Sequence, residues 1–380
     1  MKILHFFKTS LPDTIGGVEQ VIDQISRGAV SYGVSSEVLS LTSQRVASTF
    51  EINGYISHRS PLSFNLASTG FSVSAVFRFV QLAKNADLIH YHYPWPFMDL
   101  VHFFAKVKKP TVVTYHSDIV RQANLKKLYQ PLQKAFLRDV SAIVATSPNY
   151  LSTSEVLPIY ASKVSVIPIG LDKSTYPIVS AKDLSKWRER FGHRFFLFVG
   201  VLRYYKGLHI LLEAAVGSNF PIVIVGSGPI EQELKTQAAK LGLRNIHFLG
   251  QLLDEDKVAL LRLCYAVVFP SHLRSEAFGI SLLEGAMFGK PMISSEIGTG
   301  TTYINVSGET GLVVPPSNPK ALRQAMDNLW DNPLFAAEMG RLAEKRYWAL
   351  FTADKMVNSY VELYRKLLQE PNSQQMINDY

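Results

Sequence analysis

Residues 195–207 read FFLFVGVLRYYKG, and this stretch decides the fold. Its first five residues are apolar and long enough for one buried strand, which Gly200 closes. Two cations, Arg203 and Lys206, stand just before a helical pattern that begins at Gly207. A buried strand that runs through a short turn into a helix is the repeating unit of parallel α/β folds, so the stretch predicts an α/β domain.

The same alternation of strand and helix extends outward in both directions. Towards the C-terminus it predicts strands at 222–225, 246–249, 266–269, 291–294 and 311–314. Towards the N-terminus it predicts strands at 3–7, 36–41, 88–91, 111–114, 142–146 and 163–167. Few strand signals occur over 172–194, which predicts a linker with a short helix. The chain therefore predicts two Rossmann-like domains, 1–175 and 176–351, with a closing helix at 352–380 that joins the first.

Composition is compatible with this organisation. The chain has 380 residues, of which 47% are hydrophobic and 18% charged, which suits two folded domains and excludes a disordered chain. Cys264 is the single cysteine and is expected to be a small buried hydrophobe. The start of the sequence, MKILHFF, predicts a strand rather than a signal peptide, and no window of 18 apolar residues occurs. We therefore expect a cytoplasmic protein.

The net charge of +8 is unevenly distributed, with +6 in residues 1–180 and +2 in residues 181–380. Eight basic residues and one acid lie between Val101 and Arg138, with Leu125, Leu128 and Leu132 at helical spacing. Such a surface suits anionic lipid, a lipid-diphosphate acceptor or nucleic acid, and a solvated face is the alternative. We favour peripheral docking on the inner membrane surface and expect no nucleic acid.

The most specific segment is residues 275–284, SEAFGISLLE. Glu276 falls in the loop before a predicted helix, and Glu284 is expected about two turns along it. The amides of Phe278, Gly279 and Ile280 would form the helix N-terminus, which is a ready anion site. The segment suits a sugar hydroxyl at Glu276, a diphosphate at the amides and a ribose at Glu284. The alternative is a helix cap followed by a surface carboxylate.

Cations and glycines follow other predicted strands. Arg203 and Lys206 suit a diphosphate, because arginine binds it as a fork and lysine as a point charge, and two exposed loop cations are the alternative. Gly226 ends the next strand, and Gly16 and Gly17 follow the first one. Glycines at these positions let a ligand phosphate approach the backbone, although a tight turn needs the same residues.

Two polar segments of the second half are open to structural explanations. Asp254-Glu255-Asp256 matches the Asp-x-Asp pattern of metal-dependent transferases, but it precedes a helical stretch and is better explained as a helix cap. No histidine or cysteine cluster has metal spacing, so we expect no metal and no cofactor. Thr301 belongs to a small-residue segment, 298–305, that either lines the donor or makes a turn.

Histidines and aromatic residues close two apolar strands of the first half. One strand ends in the segment 90–96, HYHYPWP, and the other ends at His116. The carboxyl ends of parallel strands share one sheet edge, so both should open toward the same crevice, although a single such histidine is more often structural. The candidate acceptor contacts are His92, Tyr93 and Trp95.

Together these motifs resemble those of the family-4 retaining glycosyltransferases, which have the GT-B fold of two Rossmann-like domains facing each other across a cleft. The resemblance covers nearly the whole chain. The motifs that carry it are Gly16-Gly17, His116, Gly170-x-Asp172, Lys206-Gly207, Gly226-x-Gly228-Pro229, and Glu276-x7-Glu284 with Gly289-Lys290-Pro291 behind it.

The resemblance implies a role for each matched residue. His116 would contact the donor sugar near the reacting centre, and Glu276 would bind sugar hydroxyls. Arg203 and Lys206 would hold the diphosphate, and Glu284 the ribose. Members of the family typically need no metal, because cations and helix amides stabilise the leaving group.

Residues 298–305 and 90–96 resemble a subgroup that adds mannose or D-rhamnose in bacterial O-polysaccharide assembly. This implies a GDP-mannose or GDP-D-rhamnose donor and a lipid-linked or polysaccharide acceptor. The family often has arginine where Val201 stands, so Arg203 is expected to substitute for it. The alternatives are a UDP-sugar-dependent transferase, a nucleotide-sugar epimerase of the same architecture, and a basic binding module without catalysis, which would not need this set of donor-binding residues.

Overall fold

The computed structural model describes residues 1–66, 69–119 and 123–369, and the side chains of residues 123–126 are outside the description. The chain forms two compact units. Unit 1 comprises Met1–Gly170 and the chain from Ala353 onward, and unit 2 comprises Leu171–Thr352. Both are α/β units built on mainly parallel sheets, which confirms the predicted fold class of two Rossmann-like domains.

The sheet of unit 1 has eight strands in the order β10-β9-β8-β7-β1-β2-β4-β3. All its pairs are parallel except β3 with β4. The strands are β1 (Lys2–Phe6), β2 (Ser35–Thr42), β3 (Ser48–Ile52), β4 (Tyr55–Pro61), β7 (Leu88–Tyr93), β8 (Thr111–Tyr115), β9 (Ala142–Ala145) and β10 (Val164–Val166), and a separate hairpin comprises β5 (Phe64–Leu66) and β6 (Thr69–Phe71).

The sequence did not predict the four strands β3–β6. Asn53 and Gly54 have φ values of 50° and 83°, so they form the tight turn between β3 and β4 that suits an antiparallel hairpin. Strand β3 lies at the sheet edge and alternates half-buried with exposed residues, and β5 is fully exposed. These strands lack the buried apolar runs from which the other strands were predicted.

Helices cover the sheet of unit 1. They are α1 (Gly17–Gly28), α2 (Val73–Asn85), α3 (Pro96–Phe104), α4 (Ala123–Asp139), α5 (Pro148–Thr153) and α14 (Ala353–Gln369), with 3₁₀ turns at Ala29–Tyr32 and Leu157–Lys163. The closing helix α14 packs on this unit. Its buried Tyr360 and Tyr364 hydrogen-bond Thr114 on β8 and His90 on β7, at 2.8 and 2.7 Å.

The sheet of unit 2 is entirely parallel, in the order β13-β12-β11-β14-β15-β16. Its strands are β11 (Phe196–Val199), β12 (Ile222–Val225), β13 (Ile246–Gly250), β14 (Ala266–Phe269), β15 (Met292–Ser295) and β16 (Gly311–Val314). Its helices are α6 (Ala181–Phe191), α7 (Leu208–Ala215), α8 (Glu231–Lys240), α9 (Asp254–Leu263), α10 (Ile280–Met287), α11 (Thr301–Ile304), α12 (Pro319–Asp331) and α13 (Pro333–Leu350), with 3₁₀ turns at Lys173–Thr175 and Tyr204–Lys206. Each predicted strand of this half is present within a few residues, because parallel strands covered by helices are largely continuous apolar runs, although β13 is half-buried along its length.

The unit boundary lies between Gly170 and Leu171 rather than after residue 175. The backbone amide of Leu171 donates to the carbonyl of Phe351 at 2.9 Å, which ties the segment to unit 2. Cys264 is buried, as expected, and burial raises the pKa of its thiol to about 11. Among the described helices, none combines the length and apolarity needed to cross a bilayer.

Candidate active site

The first candidate site lies where the strand order of unit 2 reverses. Strand β11 pairs with β12 on one side and with β14 on the other, so the loops after β11 and β14 diverge. Ligands of parallel α/β sheets bind at such a point, outside the carboxyl ends of the strands. Lys206 belongs to the 3₁₀ turn after β11, and Glu276 lies in the loop between β14 and α10.

A glycine lets these two loops approach each other. Gly207 adopts φ 71°, and a Cβ atom there would lie 2.0 Å from the carbonyl oxygen of Pro270. His272 adds two contacts across the same gap, because its amide donates to the Tyr205 carbonyl at 3.0 Å and its Nε2 lies 3.1 Å from the Tyr204 carbonyl. The Lys206-Gly207 motif is therefore a point of close backbone approach.

Lys206 and Glu276 form an ion pair between Nζ and Oε2, with side chains only 12% and 11% exposed. The hydroxyl of Ser271 also contacts the Glu276 carboxylate, at 3.3 Å. A largely buried lysine attracts an anion more strongly than a lysine in water does. Because an unpaired buried charge is costly, Lys206 needs Glu276 or a ligand anion beside it. The sequence predicted both residues but not their contact across 70 positions of chain.

The helix after Glu276 begins as predicted. Helix α10 starts at Ile280, and its N-cap Gly279 adopts φ 98°, a left-handed conformation that favours glycine. Phe278 is 4% exposed and packs inward. Glu284 is the fifth residue of this helix, so it lies about one turn into it, where about two turns were expected.

Glu284 is not a free carboxylate. It is 4% exposed, accepts a hydrogen bond from the Tyr176 hydroxyl at 2.9 Å and lies 3.3 Å from Lys257 Nζ. Burial and then the Glu284 charge raise the pKa of Tyr176. Burial lowers the pKa of Lys257, but the charges and hydrogen bonds of Glu284 and Asp254 together outweigh it, and the net shift is upward. Sequence reasoning missed Tyr176 and Lys257, which are remote in sequence and belong to no motif.

Arg203 is exposed, and among the described residues it has no side-chain hydrogen bond. It precedes the Tyr204–Lys206 turn as its N-cap, in an extended conformation. Val201, which stands where the family often has arginine, is 50% exposed. Arg203 is therefore a solvated cation on the same loop as Lys206, and its predicted diphosphate contact stays a prediction.

Gly226 has a structural role in the turn after β12, and its predicted nucleotide contact stays a prediction. It adopts φ 125°, and a Cβ atom there would lie 2.1 Å from the Gly200 carbonyl oxygen. Gly228 is similar, with a Cβ position 2.3 Å from the carbonyl oxygen of Leu202. The Gly226-x-Gly228 turn is thus glycine-rich because it packs against the loop after β11, which it holds in place for Lys206.

Thr301 does not present its hydroxyl to a ligand. It is the first residue of α11, is 1% exposed, and its Oγ1 lies 3.5 Å from the Ser295 carbonyl and 3.4 Å from the Thr299 hydroxyl. The predicted donor contact of this side chain is corrected, because the hydroxyl stabilises the turn between β15 and α11.

The acidic triplet 254–256 is not a helix cap. The N-cap of α9 is Leu253, and the three acids occupy the first turn, where they complement the helix dipole. Asp256 accepts hydrogen bonds from Lys186 at 3.0 Å and Trp187 at 2.7 Å, and Asp254 pairs with Lys257 at 3.0 Å. These carboxylates thus fasten α9 to α6 and to the Glu284 network.

In unit 1, Gly16 and Gly17 stand at the start of α1, as predicted. Gly16 is the N-cap and Gly17 the first helical residue. The carboxylate of Glu19 folds back toward Gly16 and accepts a hydrogen bond from the Thr14 hydroxyl at 3.0 Å. A Cβ atom at Gly16 would lie 2.5 Å from this carboxylate, which is the flexible end of the Glu19 side chain, so the contact alone does not require glycine.

His116 lies at the end of β8 and is 6% exposed. Its Nε2 is 3.0 Å from His92 Nδ1, and His92 Nε2 is 3.1 Å from His5 Nδ1. Burial lowers the pKa of His116 and of His5 to about 3. Burial, with smaller effects from neighbouring histidines, also holds the pKa of His92 well below its ordinary value, so all three rings are neutral at pH 7.

The predicted acceptor contacts lie in the core. His92, Tyr93 and Trp95 are each at most 1% exposed. The Tyr93 hydroxyl accepts from Gln133 at 2.7 Å, and the Trp95 indole donates to the Gly70 carbonyl at 3.0 Å. The prediction of acceptor contacts is therefore wrong, because His92 and Tyr93 lie on β7, a central strand with both faces covered. Trp95 is the N-cap of α3 and packs against Phe6 and Phe97.

His5, His90 and His92 bring one nitrogen each within 4.8 Å of one another, and they form the metal-like cluster found among the described residues. Both nitrogens of His90 are hydrogen-bonded: Nδ1 lies 2.7 Å from the Tyr364 hydroxyl, and Nε2 lies 2.7 Å from the Thr114 hydroxyl. The rings of His90 and His92 stack at 4.3 Å. Both nitrogens of His90 and of His92 have protein partners, whereas His5 Nε2 has none among the described residues, so the cluster offers one unpartnered nitrogen rather than three metal ligands.

Two sequence families match the chain in succession. Residues 15–175 match Glycosyltransferase Family 4, and residues 180–346 match Glycosyl transferases group 1. The two matches correspond to the bulk of unit 1 and of unit 2.

Curated relatives match over almost the full length. A D-rhamnosyltransferase of Pseudomonas aeruginosa, WbpZ, is 62% identical over 353 residues, which are 93% of each chain. The O-antigen chain mannosyltransferase C of Escherichia coli is 49% identical over 97% of this chain and 99% of its own.

Solved structures share the fold at low sequence identity. The sucrose-phosphate synthase of Thermosynechococcus elongatus has a TM-score of 0.80 at 22% identity, over 96% of this chain and 98% of its own. Anabaena HepE in complex with UDP and glucose has a TM-score of 0.77 at 20% identity, over 96% of this chain and 100% of its own. With these matches and the site geometry, the chain is identified as a GT-B-fold member of the family-4 glycosyltransferases.

Proposed function

We propose that this glycosyltransferase moves a mannosyl or D-rhamnosyl group from a GDP-sugar to a hydroxyl of a lipid-linked glycan, with retention of anomeric configuration. The observation that carries the chemistry is the buried Lys206–Glu276 pair at the point where the strand order of unit 2 reverses. The choice of sugar and acceptor is supported by the relatives, whose names specify D-rhamnosyl transfer and O-antigen mannosyl transfer.

In the proposed reaction the bond from the anomeric carbon to the diphosphate oxygen breaks, and its electron pair leaves with the diphosphate. A bond from the anomeric carbon to the acceptor oxygen forms, and the proton of the acceptor hydroxyl passes to the departing diphosphate. Lys206 stabilises the charge that develops on the leaving group, together with the amides at the start of α10. Glu276 orients sugar hydroxyls, and Glu284 binds the ribose.

The proposal includes independence from metal ions. Lysine and helix amides supply the positive charge that a bound divalent cation supplies in other transferases. We expect full activity in excess EDTA. Loss of activity that Mn²⁺ or Mg²⁺ restores would contradict this part of the proposal.

The test is a transfer assay with GDP-mannose, GDP-D-rhamnose and UDP-glucose, each with and without a polyprenyl-diphosphate-linked glycan. We expect acceptor-dependent product from a GDP-sugar, with the donor's anomeric configuration shown by NMR coupling constants. Product from UDP-glucose alone would indicate a UDP-sugar-dependent transferase. Isomerised sugar or free nucleotide without acceptor product would indicate an epimerase.

A lipid-linked acceptor requires the protein to work at a membrane surface, and unit 1 offers a suitable face. Apolar side chains line a groove of about 380 Å³ between the β5–β6 hairpin, α2 and α3, with Phe64, Phe71, Phe77, Phe97 and Phe104 among them. Phe77 is 68% and Phe104 66% exposed. Exposed apolar surface of this kind marks an interaction site.

The proposed docking surface differs in part from the stretch 101–138 that was expected from sequence, because most residues that line the groove precede this stretch. In the stretch 101–138, Phe136 is buried in the core, Leu128 is 79% exposed, and Leu125 lies outside the described side chains. Exposed Lys106 and Lys108 follow Phe104 directly, so cations flank the groove. We include in the proposal that the groove's aromatic side chains enter an anionic bilayer while these lysines face its headgroups, at about 1 kcal/mol for each lysine.

Co-sedimentation with vesicles tests the docking. We expect binding to vesicles containing anionic lipid that weakens with salt, and about tenfold weaker binding for Phe77→Glu/Phe104→Glu. Ile178→Glu is the matched control, because Ile178 is a 98% exposed apolar residue of unit 2. Equal binding of the groove variant and the wild type would exclude the groove, and equal binding to neutral vesicles would exclude the role of the lysines.

A further inference from the structure

Three buried histidines of unit 1 form a continuous chain of ring-to-ring hydrogen bonds. His5 is on β1, His92 on the neighbouring strand β7, and His116 at the end of the next strand, β8. The nitrogen separations are 3.1 Å from His5 Nδ1 to His92 Nε2 and 3.0 Å from His92 Nδ1 to His116 Nε2. Both distances suit a hydrogen bond, which needs one donor and one acceptor.

The chemistry of neutral imidazole couples the three rings. A neutral ring has one N–H group and one lone pair, so a ring that accepts through one nitrogen must donate through the other. If His5 donates to His92, then His92 donates to His116, and the proton of His116 is left on Nδ1. If the order is reversed, all three protons are on Nε2.

The far end of the chain distinguishes the two orders. His5 Nε2 is buried and has no hydrogen-bond partner among the described residues. In the reversed order this atom would carry a buried N–H group without an acceptor, which native structures avoid more strictly than an unused acceptor. The favoured order therefore has the proton on Nδ1 in every ring.

We propose that His5 and His92 are positioning residues that hold His116 as the Nδ1–H tautomer, so that His116 presents a hydrogen-bond donor, and not an acceptor, to an oxygen of the donor sugar. The contact with sugar rests on the proposed function. The tautomer does not, because it follows from the buried chain alone. His92 is buried and does not contact the acceptor, but its hydrogen bond to His116 sets which nitrogen of His116 carries the proton.

His90 provides the matched control. It is fully buried, and its ring lies 4.3 Å from the ring of His92. Its two nitrogens, however, hydrogen-bond Tyr364 and Thr114 and none of the three linked histidines. Replacing His90 disturbs the same packed core without interrupting the order of donors and acceptors that ends at His116.

The direct test is ¹⁵N NMR of the histidine rings in the full-length protein at pH 7.5, with the His116 signals assigned by their loss in His116→Gln. We expect a protonated Nδ1 and an unprotonated Nε2 for His116 in the wild type and in His90→Gln. We expect this pattern to be lost in His92→Leu. A protonated Nε2 in the wild type, or an unchanged pattern in His92→Leu, would overturn the inference.

Transfer kinetics supply the second readout. We expect His92→Leu to lower kcat by about tenfold with little change in KM, the effect of one lost hydrogen bond. In His92→Asn the amide nitrogen occupies the place of Nδ1 and donates to His116, so we expect kcat within about threefold of wild type. Equal kcat values in folded His92→Leu and His92→Asn would contradict the inference.

The two readouts separate this inference from the proposed function. A wild type that transfers no sugar would defeat the proposed function, while the wild-type NMR spectrum would still decide the tautomer. If His92→Leu does not fold, the wild-type spectrum and the kinetics of His92→Asn remain decisive.

Discussion

The two units place polar side chains at equivalent ends of their sheets but in opposite electrical states. In unit 2 the loops and helices that follow the strands carry charged groups held in pairs, Lys206 with Glu276 and Glu284 with Lys257. In unit 1 the strand ends carry neutral histidine rings that bond to one another. The difference teaches that unit 2 is built to stabilise charge, whereas unit 1 is built to orient hydrogen bonds without charge.

Removing the central cation of unit 2 should have the largest effect. We expect Lys206→Ala to lower kcat by about 100-fold or more, because the leaving diphosphate loses a preorganised partner and Glu276 is left buried without its cation. Steady-state kinetics at saturating donor measure this.

The matched control for Lys206→Ala is Lys235→Ala, which removes an exposed i,i+4 pair with Glu231 in the same unit and should change kcat little. A kcat for Lys206→Ala within about threefold of wild type, less than ~1 kcal/mol, would show that charge in unit 2 serves the fold and not the leaving group.

The two carboxylates of unit 2 should separate into different kinetic classes. We expect Glu276→Ala to lower kcat about tenfold or more, because it positions the reacting sugar. We expect Glu284→Ala mainly to raise the donor KM, because a ribose contact is the same in ground and transition states. Effects confined to KM in both variants would contradict this division. The control is Glu344→Ala, because the Glu344 side chain is 41% exposed and pairs with Lys173.

A matched pair of glycines tests the close approach that assembles the unit 2 site. Gly207 and Gly217 have nearly the same φ, 71° and 74°, but only Gly207 has a backbone oxygen within 4 Å of the Cβ position. We expect Gly217→Ala to lower the free energy of unfolding by about 1 kcal/mol through backbone strain alone. Gly207→Ala should lower it by about 2 kcal/mol more through overlap with Pro270.

Urea denaturation measures both glycine variants. An equal decrease in the free energy of unfolding in both variants would mean that the loop after β14 moves away from Gly207 at no energetic cost. The close approach would then not hold Lys206 beside Glu276.

The neutral histidines of unit 1 should make stability depend on pH. His5 has a pKa of about 3 in the folded protein against an ordinary 6.5. Between these values the unfolded chain binds more protons, so stabilisation is complete above pH 6.5 and is lost as the pH falls toward 3. For one such group the free energy of unfolding falls by about 1.4 kcal/mol per pH unit.

Denaturation between pH 6.5 and 5 checks this smallest effect. As the pH is lowered, we expect the free energy of unfolding to fall less steeply in His5→Gln than in wild type. The difference between the two slopes should be about 1.4 kcal/mol per pH unit. Parallel pH profiles would show that the buried ring does not titrate on unfolding, and the contrast between a charged unit 2 and a neutral unit 1 would lose its thermodynamic support.

Sequence reasoning worked best where a feature is local. The parallel strands of unit 2 and the start of α10 were predicted from apolar runs and from a glycine beside a helical pattern, because these depend on neighbouring residues. It failed for the hairpin β3–β4, whose edge strand alternates between half-buried and exposed positions. It also failed for the buried hydroxyl of Thr301, because hydroxyls in a turn serve packing as readily as ligands.

Three features follow from the order of residues alone: the alternation of strand and helix, the division into two α/β domains, and the residue types of the site. Hydrophobic periodicity and motif spacing are local properties of the chain. Which of those residues contact one another depends on the folded arrangement of distant segments. Strand order brings Lys206 to Glu276 across 70 residues and covers both faces of β7, so that His92 lies inside the core. The physical reason is that pairing and burial depend on contacts between distant segments, which no local pattern specifies.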